Sequence, residues 1–302
     1  MRFDIGKELD GKEIREFLTS YLELSRRAIS ALKNNERGIV LNGERVTVRA
    51  RLSCGDVLYI ATDEEKETDG TLPVDIPIEV LYEDDAFTVV NKPAGMPTII
   101  SHGHRDDTLA NALAFRYRER GFVMRAVNRL DRDTSGICLI ANSRRSAHIL
   151  GQQMKRREME KKYLALLDGI IDSDPSEKFI ETGIRRKEGS TMLREVTDDP
   201  SACRALTSYR YLAHGNAMSA VIAQPLTGRT HQLRVHFSHV GHPICGDTMY
   251  GAGSELIPRQ ALHAFELTLT HPYTKEKMTF RAPVSHDILS AAARDGLDIT
   301  GL

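Results

Sequence analysis

From Ile76 onward the apolar residues fall into short runs that read as one strand after another: EVLYEDDAFTVVNKP, GICLIA, KKYLALLDG, CRALTSYRYLA, AMSAVIAQP and AFELTLTHP. Helical texture enters in DTLANALAFRYRER and over 143–156, but strands and helices do not alternate regularly. Strands arriving in runs predict a mixed α+β domain rather than a doubly wound parallel sheet. EVLYEDDAFTVVNKP has the form strand, turn, strand, and GICLIA that of a short buried strand.

The chain before this domain has a different texture. Residues 61–75, ATDEEKETDGTLPVD, hold almost nothing apolar and many acids, and read as a solvated linker. Ahead of it, Ile14, Phe17, Leu18, Tyr21 and Leu22 recur at i, i+3, i+4, i+7, i+8, one apolar face of a helix. Ser25 stands where a cap belongs before RRAISALKNN, and Asn42-Gly43 between β-branched runs signals a hairpin. The expected organisation is a small unit over 1–60, a linker over 61–75 and the large domain over 76–302, with no internal repeat. Arg26, Arg27, Lys33 and Arg37 cluster on or just after the second helix, either as a solvated face or as phosphate contacts.

A formal net charge of −1 announces no global basic field, so any nucleic-acid site has to be a local patch. The four cysteines are widely spaced with no C-x-x-C pair, which argues against a disulfide framework or a cysteine zinc site. Residues 1–17 contain no apolar h-region and no apolar run approaches a membrane span, so a reduced, cytoplasmic protein without membrane contact is expected.

Two segments concentrate chemistry. NRLDRDTSG, residues 128–136, carries two arginines and two aspartates. Its DTSG resembles an aspartic-protease loop, but those enzymes need a second carboxylate, and no second Asp-Thr-Gly or Asp-Ser-Gly loop occurs. The alternatives are Asp131 as a working carboxylate with Arg129 meeting the substrate, or a loop ion pair with Asp133 capping a turn. The second segment is TGRTHQLRVHFSHVGHPICGDTMYG, residues 227–251. Thr227 or Thr230 can cap a helix whose face is Leu233, Phe237 and Val240, ended by Gly241 and Pro243. Arg234 lies beside that face, within reach of a carboxylate, and Arg229 at the helix start suits phosphate or fold contacts. His231, His236, His239 and His242 lack metal-ligand spacing, and packing or RNA contact is the expectation. His102 and His104 suit a substrate-side loop better than a metal cage.

Residues 1–60 resemble the small RNA-binding module named after ribosomal small-subunit protein four, through Ser25, Arg26, Ile29, Gly38, Val40, Asn42, Gly43, Val46, Gly55, Asp56 and Leu58. Residues 76–285 resemble the RluA-type family of pseudouridine synthases through VVNKPAGMPT, RLDRDTSG, KKYLAL, TGRTHQLRVH with GHPICGD and YG, and ALHAFELTLTHP. The resemblance implies a mixed, largely antiparallel central sheet with flanking helices and an active site in a cleft along it. It implies isomerisation of uridine in RNA without a cofactor or metal, on ribosomal RNA by preference and transfer RNA as the other option. A monomer is expected. Asp131 falls on the catalytic aspartate, Arg129 on the arginine that enters the RNA where the base flips out, Tyr163 on the active-site tyrosine and Arg234 on the arginine paired with the aspartate. Leu262 matches the apolar wall of the pocket, and Arg229, His231, Asn91 and Lys92 are further candidates for substrate contact. Asn128 stands where many members have histidine. Read from its own neighbours, Tyr163 also fits a core strand, alternating with Ala165 and Leu167. The competing class is an RNA-binding or ribosome-assembly factor without catalysis.

Overall fold

The computed structural model describes residues 2–22, 24, 26–61 and 69–299. Ser25, residues 62–68 of the acidic stretch, residues 300–302 and the side chain of Arg27 lie outside the described residues.

The first sheet is antiparallel throughout, in the order β1 (Arg2–Asp4), β4 (Val57–Ile60), β2 (Ile39–Leu41), β3 (Glu44–Arg45). Asn42 and Gly43 both have positive φ, 51° and 89°, as a tight primed turn requires. The Asn42 side chain holds the neighbouring strand as well, accepting from Val57 N at 2.8 Å and donating to Asp56 at 2.8 Å. Helix α1 (Ile14–Glu16) continues as a π turn over Phe17–Tyr21, and α2 spans Arg26–Asn34. Ile14, Phe17, Leu18 and Leu22 are buried as their spacing predicts, whereas Tyr21 is 57% exposed. The wider turn, closed by Leu22 N on Phe17 O, rotates Tyr21 off the apolar stripe and onto the Phe17 ring, 5.0 Å between centroids. These residues form their own core with Ile29, Ile39, Leu58 and Ile60.

Residues 69–74 are tied to the large domain. Met124 N donates to Asp69, and Asn111 bonds the backbone of both Leu72 and Val74. Asn111 also completes a capping box with Thr108 at the start of α3 (Leu109–Arg116).

The second sheet has ten strands. In chain order they are β5 (Glu79–Glu83), β6 (Phe87–Lys92), β7 (Ser135–Ala141), β8 (Glu160–Asp168), β9 (Lys178–Arg186), β10 (Arg194–Thr197), β11 (Cys203–His214), β12 (Met218–Pro225), β13 (Leu262–Thr270) and β14 (Lys277–Arg281). Across the sheet the order is β10-β9-β11-β12-β8-β13-β7-β6-β5, with β14 added to β13. Among the described strands only β13 and β7 pair in parallel, so the sheet is mixed and largely antiparallel.

All seven residues of β7 are buried because both faces of the sheet are covered there. Ile137, Leu139 and Ala141 pack with Leu150 of α4 (Arg144–Arg156), while Cys138 and Ile140 join the main core with Leu109 and Leu113 of α3. That double covering is why GICLIA reads as an unbroken apolar run. The main core also takes Leu233 and Phe237 of α5 (Gln232–His239) and Ile288, Ala291 and Ala292 of α6 (His286–Arg294).

Helix α5 starts differently from the sequence expectation. His231 occupies the cap position in a left-handed conformation, φ 57°, with no side-chain cap bond. Thr227 instead donates to the Gln232 side chain at 2.7 Å, and Gln232 donates to Leu206 O and Thr207. Val240, expected on the apolar face, is 41% exposed because the helix has ended by then. Strand β9 escaped the sequence reading: its buried apolar residues, Ile180 and Ile184, are four apart, and the inward position between them is Thr182, which bonds His236.

Candidate active site

The loop that enters β7 is fixed by its last residues. Ser135 and Gly136 pair with His263 and Ala264 of β13. At Gly136 φ is +110° and an added Cβ would lie 2.2 Å from the Ala264 carbonyl oxygen, so only glycine fits. The Ser135 hydroxyl bonds His263 Nδ1 at 2.9 Å, and Thr134 accepts from Gln260. The TSG of this loop is therefore a join between two strands. Upstream, Asn128 bonds both Ile137 O and Leu139 N, pinning the loop's start to the same strand with its side-chain amide.

The two aspartates of the loop diverge. Asp133 pairs with its neighbour Arg132 at 3.0 Å. Asp131 meets α5: its Oδ2 accepts from Arg234 Nη1 at 3.1 Å and lies 3.7 Å from His231 Nε2. Its Oδ1 makes no hydrogen bond among the described residues, and its side chain is 29% exposed. Arg129 is exposed and free of ion pairs among the described residues.

Arg234 is held from behind by Asp247. Nε and Nη2 donate to the two carboxylate oxygens at 2.6 and 2.9 Å, and both side chains are buried. Asp247 also accepts from Met249 N and Tyr250 N. Burial opposes the charge on Arg234, but Asp247 and Asp131 outweigh it and raise its pKa above the ordinary value. The Tyr250 ring lies 5.1 Å from the Arg234 guanidinium, and its hydroxyl bonds His231 Nδ1 at 2.8 Å and takes Arg194 N–H at 2.9 Å. Burial lowers the His231 pKa, a shift the nearby Asp131 charge opposes.

Tyr163 on β8 is buried in the main core, as its strand alternation allows, yet its hydroxyl has no hydrogen bond among the described residues. Burial, then Cys138 and Asp131, pushes its pKa up, so the phenol is protonated at neutral pH. Leu262 opens β13 beside it, buried and paired with Ala165.

The other candidates are placed as follows. Asn91 donates to Glu79 on the adjacent strand at 2.8 Å, a cross-strand contact. Lys92 is fully buried and donates to Pro93 O, Met96 O and Arg132 O at 2.7, 2.7 and 3.0 Å, tying two loops together; burial pulls its pKa down to about 8. Both residues thus make contacts that hold the scaffold. Arg229 donates to Arg204 O at 3.1 Å, and Arg26, Lys33 and Arg37 are exposed in the first unit. His236 bonds Thr207 and Thr182, and His242 bonds Asp168 O, so these two imidazoles serve the fold.

Sequence reasoning assigned no role to Asp247, Tyr250 or Arg259. Asp247 and Tyr250 sit in the GD and YG that carry the resemblance, but nothing local reveals their partners. Arg259 donates to Asp133 O and pairs with Asp287 at the start of α6, bracing the same loop from the far side.

The RNA pseudouridylate synthase family profile matches residues 86–239. An uncharacterized RNA pseudouridine synthase of Bacillus subtilis, YjbO, is 37% identical over 269 residues, covering 88% of this chain and 94% of that protein. Ribosomal large subunit pseudouridine synthase D of Xylella fastidiosa is 35% identical over 275 residues, covering 85% of this chain and 81% of its own. The solved structure of human RNA pseudouridylate synthase domain containing 1 superposes with a TM-score of 0.57 at 33% identity, over 68% of this chain and 83% of that one. With these similarities the chain belongs to the RNA pseudouridylate synthase family.

Proposed function

We propose that this enzyme converts uridine to pseudouridine in large-subunit ribosomal RNA, with Asp131 as the working carboxylate acting on a flipped-out nucleotide. The observation that carries this reading is the carboxylate itself: one oxygen is held by Arg234, the other has no hydrogen bond among the described residues, and the side chain is partly exposed. A carboxylate that must act while ionised needs a cation beside it and an unobstructed oxygen. Stacked uridine cannot reach it, so the base leaves the helix at a cost of a few kcal/mol, and the exposed Arg129 fills the gap.

The bond between C1′ and N1 of the uracil then breaks, the base turns, and C1′ bonds to carbon 5. The proton from carbon 5 is lost and N1 gains one, so atoms balance without an outside reactant. Asp131 Oδ1 begins this either by attacking C1′, the ester bond breaking again as carbon 5 takes its place, or by taking a sugar proton that it returns at the end. Tyr163 packs against the base with its hydroxyl protonated, since burial raises its pKa, and assists the last step as a hydrogen-bond donor while the carbon 5 proton passes to water. Residues 1–60 serve as a separate RNA-binding module through Arg26, Lys33 and Arg37, joined by 61–75 to the catalytic domain over 76–302. The ribosomal preference rests on the similarity to the large-subunit enzymes.

Asp131→Asn tests the chemistry. With RNA tritiated at uridine carbon 5, the variant should release no tritium while binding RNA nearly as wild type does; normal release removes Asp131 from this role. A pseudouridine map of a deletion strain tests the substrate: lost ribosomal sites restored only by wild type support it, and lost transfer-RNA sites replace it.

A further inference from the structure

The β9–β10 hairpin breaks a rule of strand pairing at one position. Arg185 lies opposite Glu195 and the two form an ion pair at 2.8 Å. One register step along, on the other face, Arg186 lies opposite Arg194. Opposite charges across a strand pair stabilise it and like charges directly opposed destabilise it. Neither arginine has a carboxylate partner among the described residues.

The face that carries this pair is turned toward the active site. Ile184 and Val196, the neighbouring inward residues, pack on Val235 of α5 with Tyr250. Arg186 and Arg194 extend that face beyond the apolar cluster. Arg194 donates its backbone N–H to Tyr250, whose hydroxyl bonds His231, which lies 3.7 Å from Asp131. Its Nη1 is held by Met192 O and Leu193 O at 3.1 and 3.0 Å, while Nε and Nη2 have no partner among the described residues. Arg186 is exposed with no partner among the described residues.

We infer that Arg186 and Arg194 together clamp a backbone phosphate of the RNA strand beside the target uridine, an inference that rests on the RNA reading of this site. A phosphate between two guanidiniums supplies the missing counter-charge and accepts their planar forks. Such a contact sets the register of the strand and carries no sequence preference of its own. Because the Arg194 backbone is bonded to Tyr250, next to His231 and Asp131, the contact fixes how far along the strand the flipped nucleotide lies.

The probe is large-subunit ribosomal RNA transcribed in vitro and therefore unmodified, with the full chain. Binding is measured against salt concentration, and turnover separately by tritium release. Arg186→Gln with Arg194→Gln should weaken binding roughly tenfold or more and flatten the log–log salt slope by about 0.7–0.9 for the one phosphate lost. It should raise KM more than it lowers kcat. Arg185→Gln, on the opposite face, should leave the slope unchanged. Arg186→Glu separates folding from binding: it places a carboxylate opposite Arg194, so Tm should rise while RNA affinity falls. Wild-type slope and affinity in the double variant, or Tm and affinity moving together in Arg186→Glu, overturn the clamp. Absent turnover by wild type would defeat the proposed function while the slopes still decide the clamp; absent binding would defeat both.

Discussion

Replacing Asp247 with asparagine should be among the most damaging isosteric changes available to this chain. Asp247 is 1% exposed and Arg234 4%. The change keeps shape but removes the charge that receives two guanidinium bonds, at 2.6 and 2.9 Å. Arg234 would keep the contact at 3.1 Å to Asp131 as its sole carboxylate bond. Removing one partner of a buried ion pair costs roughly 3–5 kcal/mol, because the other charge stays desolvated, and here only the partly exposed Asp131 remains to compensate it. Against a total stability of about 5–15 kcal/mol, that leaves a marginal protein. Urea unfolding followed by circular dichroism would measure the loss. The control is the double variant Asp247→Asn with Arg234→Gln: it removes the stranded charge and should be more stable than the single variant by at least about 1 kcal/mol, while remaining inactive. A single variant within about 1 kcal/mol of wild type, or a double variant less stable than the single, would refute the claim that Asp247 compensates Arg234.

Two other sites have consequences for stability. Gly136→Ala puts a Cβ 2.2 Å from the Ala264 oxygen at φ +110°, against backbone that cannot swing aside; strain and overpacking of about 1–3 kcal/mol each should lower the urea midpoint and abolish tritium release, and a wild-type midpoint would disprove the parallel β7–β13 join. His236 and His263 are buried with pKa values pulled down to about 4, so between pH 6.5 and 4 the unfolded chain binds the protons that the folded chain refuses. Stability is therefore full above pH 6.5 and falls as pH drops toward 4, by up to about 1.4 kcal/mol per pH unit for each histidine; His263→Gln should flatten that slope, and an unchanged slope would show that the acid sensitivity lies elsewhere.

Much of this architecture is written in local pattern. GICLIA is a run rather than an alternation because both faces of β7 are covered. Asn42-Gly43 turns because both residues tolerate positive φ. The apolar positions Leu233 and Phe237 put α5 on the sheet, and the motif around Asp131 marks the segment that meets it. Such signals survive in one dimension because each depends on residues a few positions apart.

What the sequence left open depends on residues far apart in the chain. Asp131 and Arg234 are 103 positions apart; the resemblance pairs them, but no local pattern shows which of the loop's two aspartates Arg234 meets. Asn91 and Lys92 look like substrate contacts in a motif, but strand pairing commits one to Glu79 and burial commits the other to three carbonyls. β9 hid because Thr182, facing inward, finds its partner in His236 54 residues later. The Arg186–Arg194 pairing exists only once β10 folds back on β9. Periodicity reports which face of an element is apolar, whereas a buried charge is stable only beside its particular counter-charge or hydrogen-bond acceptors, and that choice is made when distant segments pack.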